Sequence, residues 1–416
     1  MKIPHIRTLL VVPAAAAAVA GGALSTAPAA VAARLHAPVR AHVLFVSAHA
    51  KKKDRRCTKA APCRTIAQAM RLARRASEVL VERGTYKEEV VVSKMVALVG
   101  SGSPVIDAEG LANGITAAGA GAARALIHGF VVENANEEGI LDNGADYLTI
   151  AKNVVRDNDR GAALKPATGK CAPEGEVPGD CGEALHLIGA SHVTVEGNSV
   201  TGNSGGIYLT DETGPSAHNL IAHNRVTKNY ADCGITLAGH NTKAVVLATT
   251  PGPPTVASLA PTVGGVYDNT VRDNVVDGNG VKGLGAGIGL FGGSPGTAVY
   301  NNTIEANTAE GNGLGGVTLH SHAPGQDLSG NEITRNILSD DGIAGNPGGT
   351  PGDVDAGLTE SAGIIIFSAD TKLTGMTIEH NQISDEDIGI WTKNAPVIVP
   401  ATNTFTSTVK TDVVQK

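Results

Sequence analysis

A short phrase of glycine, isoleucine, any residue and leucine recurs along most of the chain. Its clearest copies are Gly206-Ile207-Tyr208-Leu209 and Gly234-Ile235-Thr236-Leu237, each followed by a polar turn and an alternating apolar segment. The phrase recurs at Gly139, Gly287, Gly316, Gly363 and Gly389, and weaker copies begin at Gly161 and Glu183. Alternation over such short stretches predicts half-buried strands. Repetition of the phrase predicts stacked coils, each of which contacts only its neighbours.

Asparagine provides a second repeating signal. It opens the apolar segments at Asn153, Asn198, Asn224, Asn274, Asn302, Asn331 and Asn381. Stacked identical asparagine side chains hydrogen-bond in a ladder along a repeated-strand axis, and asparagine tolerates the left-handed turn between two strands. We therefore expect a structural ladder with asparagine at the turns.

The segment before the coils is predicted to cap them. In Thr65–Ala76 the apolar residues repeat at helical spacing with arginines on the opposite face, and Thr65 is a suitable N-cap. Strands over Glu78–Arg83 and Glu89–Val92 are predicted to follow. A helix here would close the open end of the stack, whose bare strand edges would otherwise promote aggregation.

These segments resemble known proteins. Pro62-Cys63-Arg64-Thr65-Ile66 and Gly84-Thr85-Tyr86-Lys87-Glu88 resemble the entry segment of right-handed parallel β-helix proteins of the pectate-lyase-like superfamily, and the repeats resemble NosD-type carbohydrate-binding repeats. The resemblance implies an all-β chain that forms a right-handed parallel β-helix of about 9–11 coils with a short N-terminal capping helix. It also implies polysaccharide lyases, hydrolases or epimerases, whose catalytic signatures are not found in this sequence.

Composition and targeting signals divide the chain. A basic start, the apolar run Leu9–Leu24 and the small residues Ala30-Val31-Ala32 predict a signal peptide over residues 1–32, and the run is too short for a membrane span. We expect a flexible leader over 33–56, the β-helix over 57–400 and a tail over 401–416. The long gaps Asn241–Val263 and Asp340–Leu358 are predicted to be loops. The mature protein is expected to be secreted or held at the cell surface.

The net charge limits the kinds of partner that the protein can bind, and the cysteine content can be interpreted once export is expected. The net charge of −7 and the absence of a basic stripe argue against a nucleic-acid partner. After export, Cys57–Cys63 and Cys171–Cys181 are the natural disulfide pairs. Cys233 is left over and is expected to be a buried thiol.

The residues that follow each repeated phrase predict a site on the outer face of the coils. In-register coils place equivalent positions in columns about 4.8 Å apart. This alignment puts Glu212 beside His240, and it puts His320 in one column with Thr210 and Phe291. The candidate catalytic residues are Asp211, Glu212, Asp232, His240, His320 and His322, and the candidate substrate-binding residues are Tyr208, Asn241 and Gly293. Four other histidines are expected to be isolated surface groups (His186 and His192) or structural residues of a strand over Ala217–Arg225 (His218 and His223).

Two functions remain open at this stage. The first is an exported polysaccharide lyase or hydrolase that works in a groove on the outer face. In a lyase, His240, His322 or Tyr208 would remove a proton; in a hydrolase, Glu212 would pair with Asp211 or Asp232. The second is a non-catalytic NosD-like surface protein that binds sugar or metal. No cofactor is firmly implied, although Zn²⁺ at His320-x-His322 or Ca²⁺ at the acidic side chains fits the ligand chemistry.

Overall fold

The computed structural model describes residues 42–51, 56–159, 183–240, 264–281, 285–292, 296–321, 325–342, 358, 360–368, 373–395 and 401–416. Regular structure in these ranges is almost entirely β-strand. One α-helix, α1 (Ile66–Leu72), lies near the start, and a 3₁₀ helix spans Gly119–Ala122. None of the described helices is long and apolar enough to cross a membrane.

The strands of the described residues are short and follow one another at close intervals. In chain order they are β1 (Val43–Val46), β2 (Glu78–Glu82), β3 (Thr85–Tyr86), β4 (Val90–Val92), β5 (Ala97–Ser101), β6 (Val105–Asp107), β7 (Ile115–Ala118), β8 (Leu126–His128), β9 (Val131–Glu133), β10 (Ile140–Asn143), β11 (Thr149–Ala151), β12 (Val154–Arg156), β13 (Glu183–Ile188), β14 (Thr194–Glu196), β15 (Ser199–Thr201), β16 (Gly205–Thr210), β17 (Ser216–Ala217), β18 (Leu220–Ala222), β19 (Arg225–Thr227), β20 (Ile235–Gly239), β21 (Val266–Tyr267), β22 (Thr270–Arg272), β23 (Val275–Asp277), β24 (Ile288–Gly292), β25 (Val299–Tyr300), β26 (Thr303–Glu305), β27 (Thr308–Glu310), β28 (Val317–Ser321), β29 (Glu332–Thr334), β30 (Ile337–Ser339), β31 (Ala362–Ser368), β32 (Thr377–Glu379), β33 (Gln382–Ser384), β34 (Ile388–Lys393), β35 (Thr404–Phe405) and β36 (Thr411–Gln415).

The strands form three long parallel sheets, each of 11 strands. Sheet 1 has the order β1-β2-β5-β8-β11-β14-β18-β22-β26-β29-β32, sheet 2 the order β36-β34-β31-β28-β24-β20-β16-β13-β10-β7-β4, and sheet 3 the order β3-β6-β9-β12-β15-β19-β23-β27-β30-β33-β35. A small fourth sheet has the order β17-β21-β25. Successive coils therefore add one strand to each long sheet, and the predicted right-handed parallel β-helix is confirmed.

One predicted coil does not exist. Strand β10 pairs directly with β13, with Ile140 opposite Leu185. No strand can lie between them in sheet 2, so the expectation that a coil begins at Gly161 is wrong. Residues 160–182, which include Gly161, lie outside the described residues.

The capping helix is present and is held at both ends by side chains of the first coil. Thr65 is the N-cap and accepts the N–H of Gln68 at 3.2 Å, as predicted. The carboxylate of Glu88 accepts the N–H groups of Ile66 and Ala67, the first two residues of the helix, at 2.7 and 2.9 Å. At the other end, Lys94 donates to the carbonyls of Met70 and Ala73. These contacts complement the partial charges of the two helix ends.

The ends of the β-helix extend beyond the predicted boundaries. The segment 33–56 was expected to be a flexible leader, yet β1 within it pairs in parallel with β2. The segment 401–416 was expected to be a tail, yet β35 and β36 pair with β33 and β34. Both expectations are wrong for these strands, because short apolar alternation suffices for a segment to pair when a sheet edge is available. Residues 1–41, with the predicted signal peptide, lie outside the described residues.

Inward-facing aliphatic residues form the core of the coils. Ile207, Leu209, Ile235 and Leu237, the apolar positions of the two clearest phrases, are each at most 1% exposed. Burial of one such side chain contributes about 1.5–3 kcal/mol. The alternation in the sequence therefore reports correctly which face of each strand is inside.

Asparagine forms three ladders in place of the single one expected. The first contains Asn153, Asn198, Asn224, Asn274, Asn307, Asn336, Asn381 and Asn403. The second runs from Asn158 through Asn203, Asn229, Asn279 and Asn312 to Asp341. The third joins Asn219, Asn269, Asn302 and Asn331. The left-handed turn is made by the residue before the asparagine, as at Lys152, Asp273 and Arg335. The left-handed turn and the ladder hydrogen bonds are thus formed by two residues that are adjacent in the sequence.

The cysteines agree with the prediction where they are described. Cys57 and Cys63 form a disulfide with a Cα–Cα distance of 4.4 Å. Cys233 is a buried thiol whose Sγ accepts the N–H of Ala286. Cys171 and Cys181 lie outside the described residues.

Candidate functional site

The register of sheet 2 agrees with the columns derived from the sequence. Thr210 lies opposite Ala238, Ala238 opposite Phe291, and Phe291 opposite His320. Tyr208 lies opposite Thr236 in the other outward column. Two residues beyond Thr210 and Ala238, the chain reaches Glu212 and His240, which therefore continue neighbouring strands.

Tyr208 and His240 form the centre of the candidate site. The Tyr208 hydroxyl lies 3.2 Å from Nε2 of His240, although 32 residues separate the two in the chain. Their rings meet edge to face, with centroids 5.9 Å apart. Tyr208 is 4% exposed, whereas His240 is partly exposed. A phenol and an imidazole at this distance are a competent pair for proton transfer.

His186 lies on the other side of Tyr208 and was not predicted to be part of a site. Its ring is 4.8 Å from that of Tyr208, between centroids. Nε2 of His186 is 3.2 Å from the Thr210 hydroxyl and 3.7 Å from a carboxylate oxygen of Glu212. The expectation that His186 is an isolated surface residue is wrong, because it is only 1% exposed.

Glu138 orients His186 from the preceding coil. Its Oε1 is 3.4 Å from Nδ1 of His186, and Glu138 is 4% exposed. The buried carboxylate favours the tautomer of His186 that carries its proton on Nδ1. Sequence reasoning missed both residues. The available signal was positional, since His186 lies opposite Tyr208 in the register of β13 and β16.

Asp211 holds the backbone on both sides of the insertion that follows His240. Its Oδ1 accepts the N–H of His240 at 2.5 Å, and its Oδ2 accepts the N–H of Gly265 at 2.6 Å. Asp211 is 7% exposed. Both of its oxygens are thus engaged with the backbone, and its side chain fixes the position from which the His240 ring projects.

The protonation of this cluster follows from burial. Burial lowers the pKa of His240; the Asp211 carboxylate opposes this, and His186 lowers the pKa further. Burial raises the pKa of Asp211, against the lowering by the N–H groups of His240 and Gly265. The imidazole of His240 is therefore neutral at pH 7 and can accept the Tyr208 proton.

Solvent reaches the cluster from one side. Glu212 keeps 23% of its side chain exposed, while Glu138 keeps 5% and His186 1%. His240 is also partly exposed. The cluster therefore has an open side at Glu212 and His240 and a closed side at Glu138 and His186.

Asp232 and His320 are not in this cluster. Asp232 lies before β20, at the end opposite His240, and its Oδ1 accepts the N–H of Cys233. His320 stacks on Phe291 with centroids 5.5 Å apart, and Phe291 packs between it and Tyr208. His322, Asn241 and Gly293 lie outside the described residues.

His192 and His218 form surface contacts along the corner between sheets 2 and 1. His192 stacks between Tyr147 and His218, with centroids at 4.6 and 5.0 Å. His192 is exposed but not isolated, which corrects the expectation. His218 and His223 occupy left-handed turns rather than a strand.

No metal site is formed by the described part of the chain. Within it, no group of three or more histidine, cysteine, aspartate or glutamate side chains is placed to hold a metal ion. His322, the second residue of the pair considered for Zn²⁺, lies outside that part of the chain.

Comparisons with known proteins agree with the fold. Residues 80–247 match the family model described as periplasmic copper-binding protein (NosD), so the repeats in this part of the chain are NosD-like. No curated protein matches the chain in sequence at a significant level.

Several solved structures of low sequence identity are similar to this chain. The Dettilon tailspike protein is 15% identical with a TM-score of 0.50; the match covers 84% of this chain and 63% of the tailspike. An alginate lyase from a Paenibacillus species is 12% identical with a TM-score of 0.46, covering 88% of this chain and 99% of the lyase. A pectate lyase, Pel9A, is 13% identical with a TM-score of 0.42, covering 82% and 78%.

Proposed function

We propose that the protein is an exported enzyme that cleaves an acidic polysaccharide by β-elimination, with Tyr208 and His240 as the acid/base pair. The observation that supports this most strongly is the 3.2 Å contact between the Tyr208 hydroxyl and Nε2 of a neutral His240. Elimination needs a base for a carbon-bound proton and an acid for the leaving oxygen, and both groups are present at one point.

The proposed proton transfers balance within the pair. His240 draws the proton from the Tyr208 hydroxyl, and the resulting phenolate removes the substrate proton on the carbon next to the carboxyl group. The bond from the neighbouring carbon to the glycosidic oxygen then breaks, a carbon–carbon double bond forms, and the imidazolium of His240 protonates the leaving oxygen. Tyr208 and His240 end in their starting states.

His186 and Glu138 support this step from the closed side. The Glu138 carboxylate orients the His186 ring, which packs against Tyr208. The arrangement limits the positions that the Tyr208 ring can adopt and fixes its hydroxyl near His240. Positioning of this kind accounts for much of the rate gain in enzymes.

Hydrolysis by two carboxylates is less well supported. Such a mechanism requires two carboxyl groups on either side of the scissile bond. In the cluster, both oxygens of Asp211 accept backbone N–H groups, and Glu138 is buried against His186. Glu212 alone keeps an accessible carboxylate.

Export is proposed on two grounds. The first is the signal-peptide pattern of residues 1–32. The second is the Cys57–Cys63 disulfide, which persists in oxidising compartments and is rare in the cytosol. Secretion and display at the cell surface are both compatible with these observations.

The test is a comparison of Tyr208→Phe and His240→Gln with the unmodified protein on a panel of uronic-acid polysaccharides. We expect the unsaturated product, followed by its ultraviolet absorbance, to form about 10²–10⁴-fold more slowly with each variant. His192→Gln, at an exposed stacked histidine, is the matched control and should retain activity. New reducing ends without the absorbance would point to hydrolysis and contradict the proposal.

The NosD match favours a second candidate, a non-catalytic protein that binds sugar or metal at the same face. It predicts saturable binding with no product from any polysaccharide. Glu212→Ala and His240→Ala would then weaken binding and have no reaction to abolish. The same panel distinguishes the two functions.

A further inference from the structure

Two stacked tyrosines lie in the small fourth sheet. Tyr267 in β21 and Tyr300 in β25 occupy equivalent positions of neighbouring coils. Their rings are nearly parallel, at 14°, with centroids 4.9 Å apart. Both side chains are partly exposed. Two of the six tyrosines in the chain therefore form one aromatic surface at the outside of the β-helix.

Gly265 places this pair beside the candidate site. Its N–H donates to Asp211, whose other oxygen holds the backbone of His240. A side chain at Gly265 would bring its Cβ to 3.3 Å from the Tyr267 ring and 3.4 Å from the Tyr300 ring. Gly265 also has φ +125°, which side-chain-bearing residues rarely adopt. The backbone thus passes closely between Asp211 and the two rings.

The two rings differ in which faces are covered. Tyr267 is covered on one face by Tyr300 and is met edge-on by His218, with centroids 6.1 Å apart at 80°. In the next coil, Ser329 occupies the position equivalent to Tyr300. The Ser329 carbonyl accepts the N–H of Asn301. Among the described residues no second aromatic ring stacks on Tyr300. The residue opposite Tyr300 in that coil is therefore a serine, which has a small side chain.

Tyr147, on the same corner of the β-helix, offers a contrast. Its ring has Arg124 on one side, 4.2 Å from the centroid, and His192 on the other, at 4.6 Å. Tyr147 is 44% exposed, so its edge reaches solvent while both faces are occupied. A ring of this kind cannot stack on a ligand.

We propose that Tyr300, supported by Tyr267, is a sugar-stacking subsite that holds a pyranose ring of the polysaccharide next to the Tyr208–His240 pair. The apolar C–H face of a pyranose suits an aromatic face, and the phenol hydroxyl at the ring edge can remain in water. The inference rests on the proposed function for its substrate class. It assigns Tyr300 a binding role and no part in proton transfer.

The experiment compares Tyr300→Ala, Tyr300→Phe and Tyr147→Ala in the full-length protein. The probes are oligosaccharides of polymannuronate, polyguluronate and polygalacturonate and a neutral β-glucan. We expect Tyr300→Ala to raise KM, and the Kd measured by calorimetry in the His240→Gln background, by about tenfold, with kcat changed far less. Tyr300→Phe should keep affinity, because stacking needs the ring and not the hydroxyl.

Tyr147→Ala is the control for removal of a stacked tyrosine from the same corner and should leave KM and Kd unchanged. Circular dichroism and melting temperature verify that each variant is folded. Equal effects of Tyr300→Ala and Tyr147→Ala, or an unchanged KM and Kd in Tyr300→Ala, would overturn the subsite. If no wild-type binding to any probe is seen, the subsite is also overturned.

The outcome for the subsite is separable from the outcome for catalysis. If oligosaccharides bind through Tyr300 and no unsaturated product forms, elimination fails and the subsite stands. If product forms with the same KM in Tyr300→Ala, elimination stands and the subsite fails.

Discussion

The carboxylate of Asp211 accepts the backbone N–H of His240 at 2.5 Å, although 29 residues separate them. Its second oxygen accepts the N–H of Gly265. Asp211→Asn keeps one acceptor and turns an N–H₂ group toward an N–H donor, which is repulsive. We expect kcat to fall about tenfold or more, with a smaller change in KM, because His240 is displaced. Steady-state kinetics on a cleaved polysaccharide measures both quantities.

Asp146 provides the control for this substitution. Its Oδ1 also accepts a backbone N–H, that of Ser191 at 2.9 Å, at an exposed corner away from the Tyr208–His240 pair. Asp146→Asn should leave kcat and KM unchanged. Equal kinetic losses in Asp146→Asn and Asp211→Asn would mean that Asp211 acts through general stability rather than through His240.

The acid side of the pH profile should reflect the lowered pKa of His240. Burial lowers this pKa below the ordinary value near 6.5, so the imidazole remains neutral as the pH falls through that value. We expect kcat/KM to decline only at a pH below about 6.5. His186 contributes to the lowering, so His186→Gln should move the decline to higher pH. Measurements from about pH 4.5 to 8 test this, and a decline centred above 6.5 in the unmodified protein would contradict it.

The sequence could predict the columns of sheet 2 because the distance between coils is fixed by backbone hydrogen bonds. The alignment of Thr210, Ala238, Phe291 and His320 needs only the repeated phrase and this spacing. Which side chains meet could not be predicted in the same way. Phe291 fills the space between Tyr208 and His320, and this depends on side-chain volume rather than on register.

His186 was missed for a related reason. A false coil at Gly161 placed another repeat between Ile140 and Leu185, whereas these two residues are directly opposite. Position 186 also has apolar neighbours on both sides in the sequence, which gives it the pattern of an ordinary outward residue. Its burial comes from Tyr208, Thr210 and Glu138, contributed by other coils.

The asparagine ladders should make a large contribution to stability. Asn274 accepts the backbone N–H and the side-chain amide of Asn224, and it donates to the Ile221 carbonyl and to Asn307. Asn274→Ala would leave several buried partners unsatisfied, each at about 1–3 kcal/mol. We expect a loss of about 3 kcal/mol or more, measured by denaturant unfolding followed by circular dichroism.

Asn143→Ala is the matched control for the ladder. Asn143 is the last residue of β10, faces outward and is exposed. Its substitution should therefore change the free energy of unfolding by no more than about 0.5 kcal/mol. A similar small loss for Asn274→Ala would show that the ladders follow from the coil geometry and do not stabilise it.

The second ladder contains an aspartate where its other members have asparagine. Oδ1 of Asp341 accepts the N–H and the side-chain amide of Asn312, at 3.0 and 2.8 Å, and Asp341 is 2% exposed. Burial raises its pKa well above the ordinary value, and the nearby Glu386 raises it further. Burial likewise raises the pKa of Glu386, to about 7.

Asp341→Asn should therefore stabilise the protein, and more so at high pH. The folded state keeps the proton of Asp341, while the unfolded side chain loses it near pH 4. The folded state thus binds more protons, and the free energy of unfolding falls as the pH rises from about 4 toward the folded-state pKa.

An asparagine does not titrate and can donate to the next carbonyl of the ladder, as Asn312 does to Val276. We expect a gain of about 1–3 kcal/mol at pH 8 and a smaller one at pH 4. A gain in Asp341→Asn that is independent of pH would contradict the titration of Asp341 as its cause.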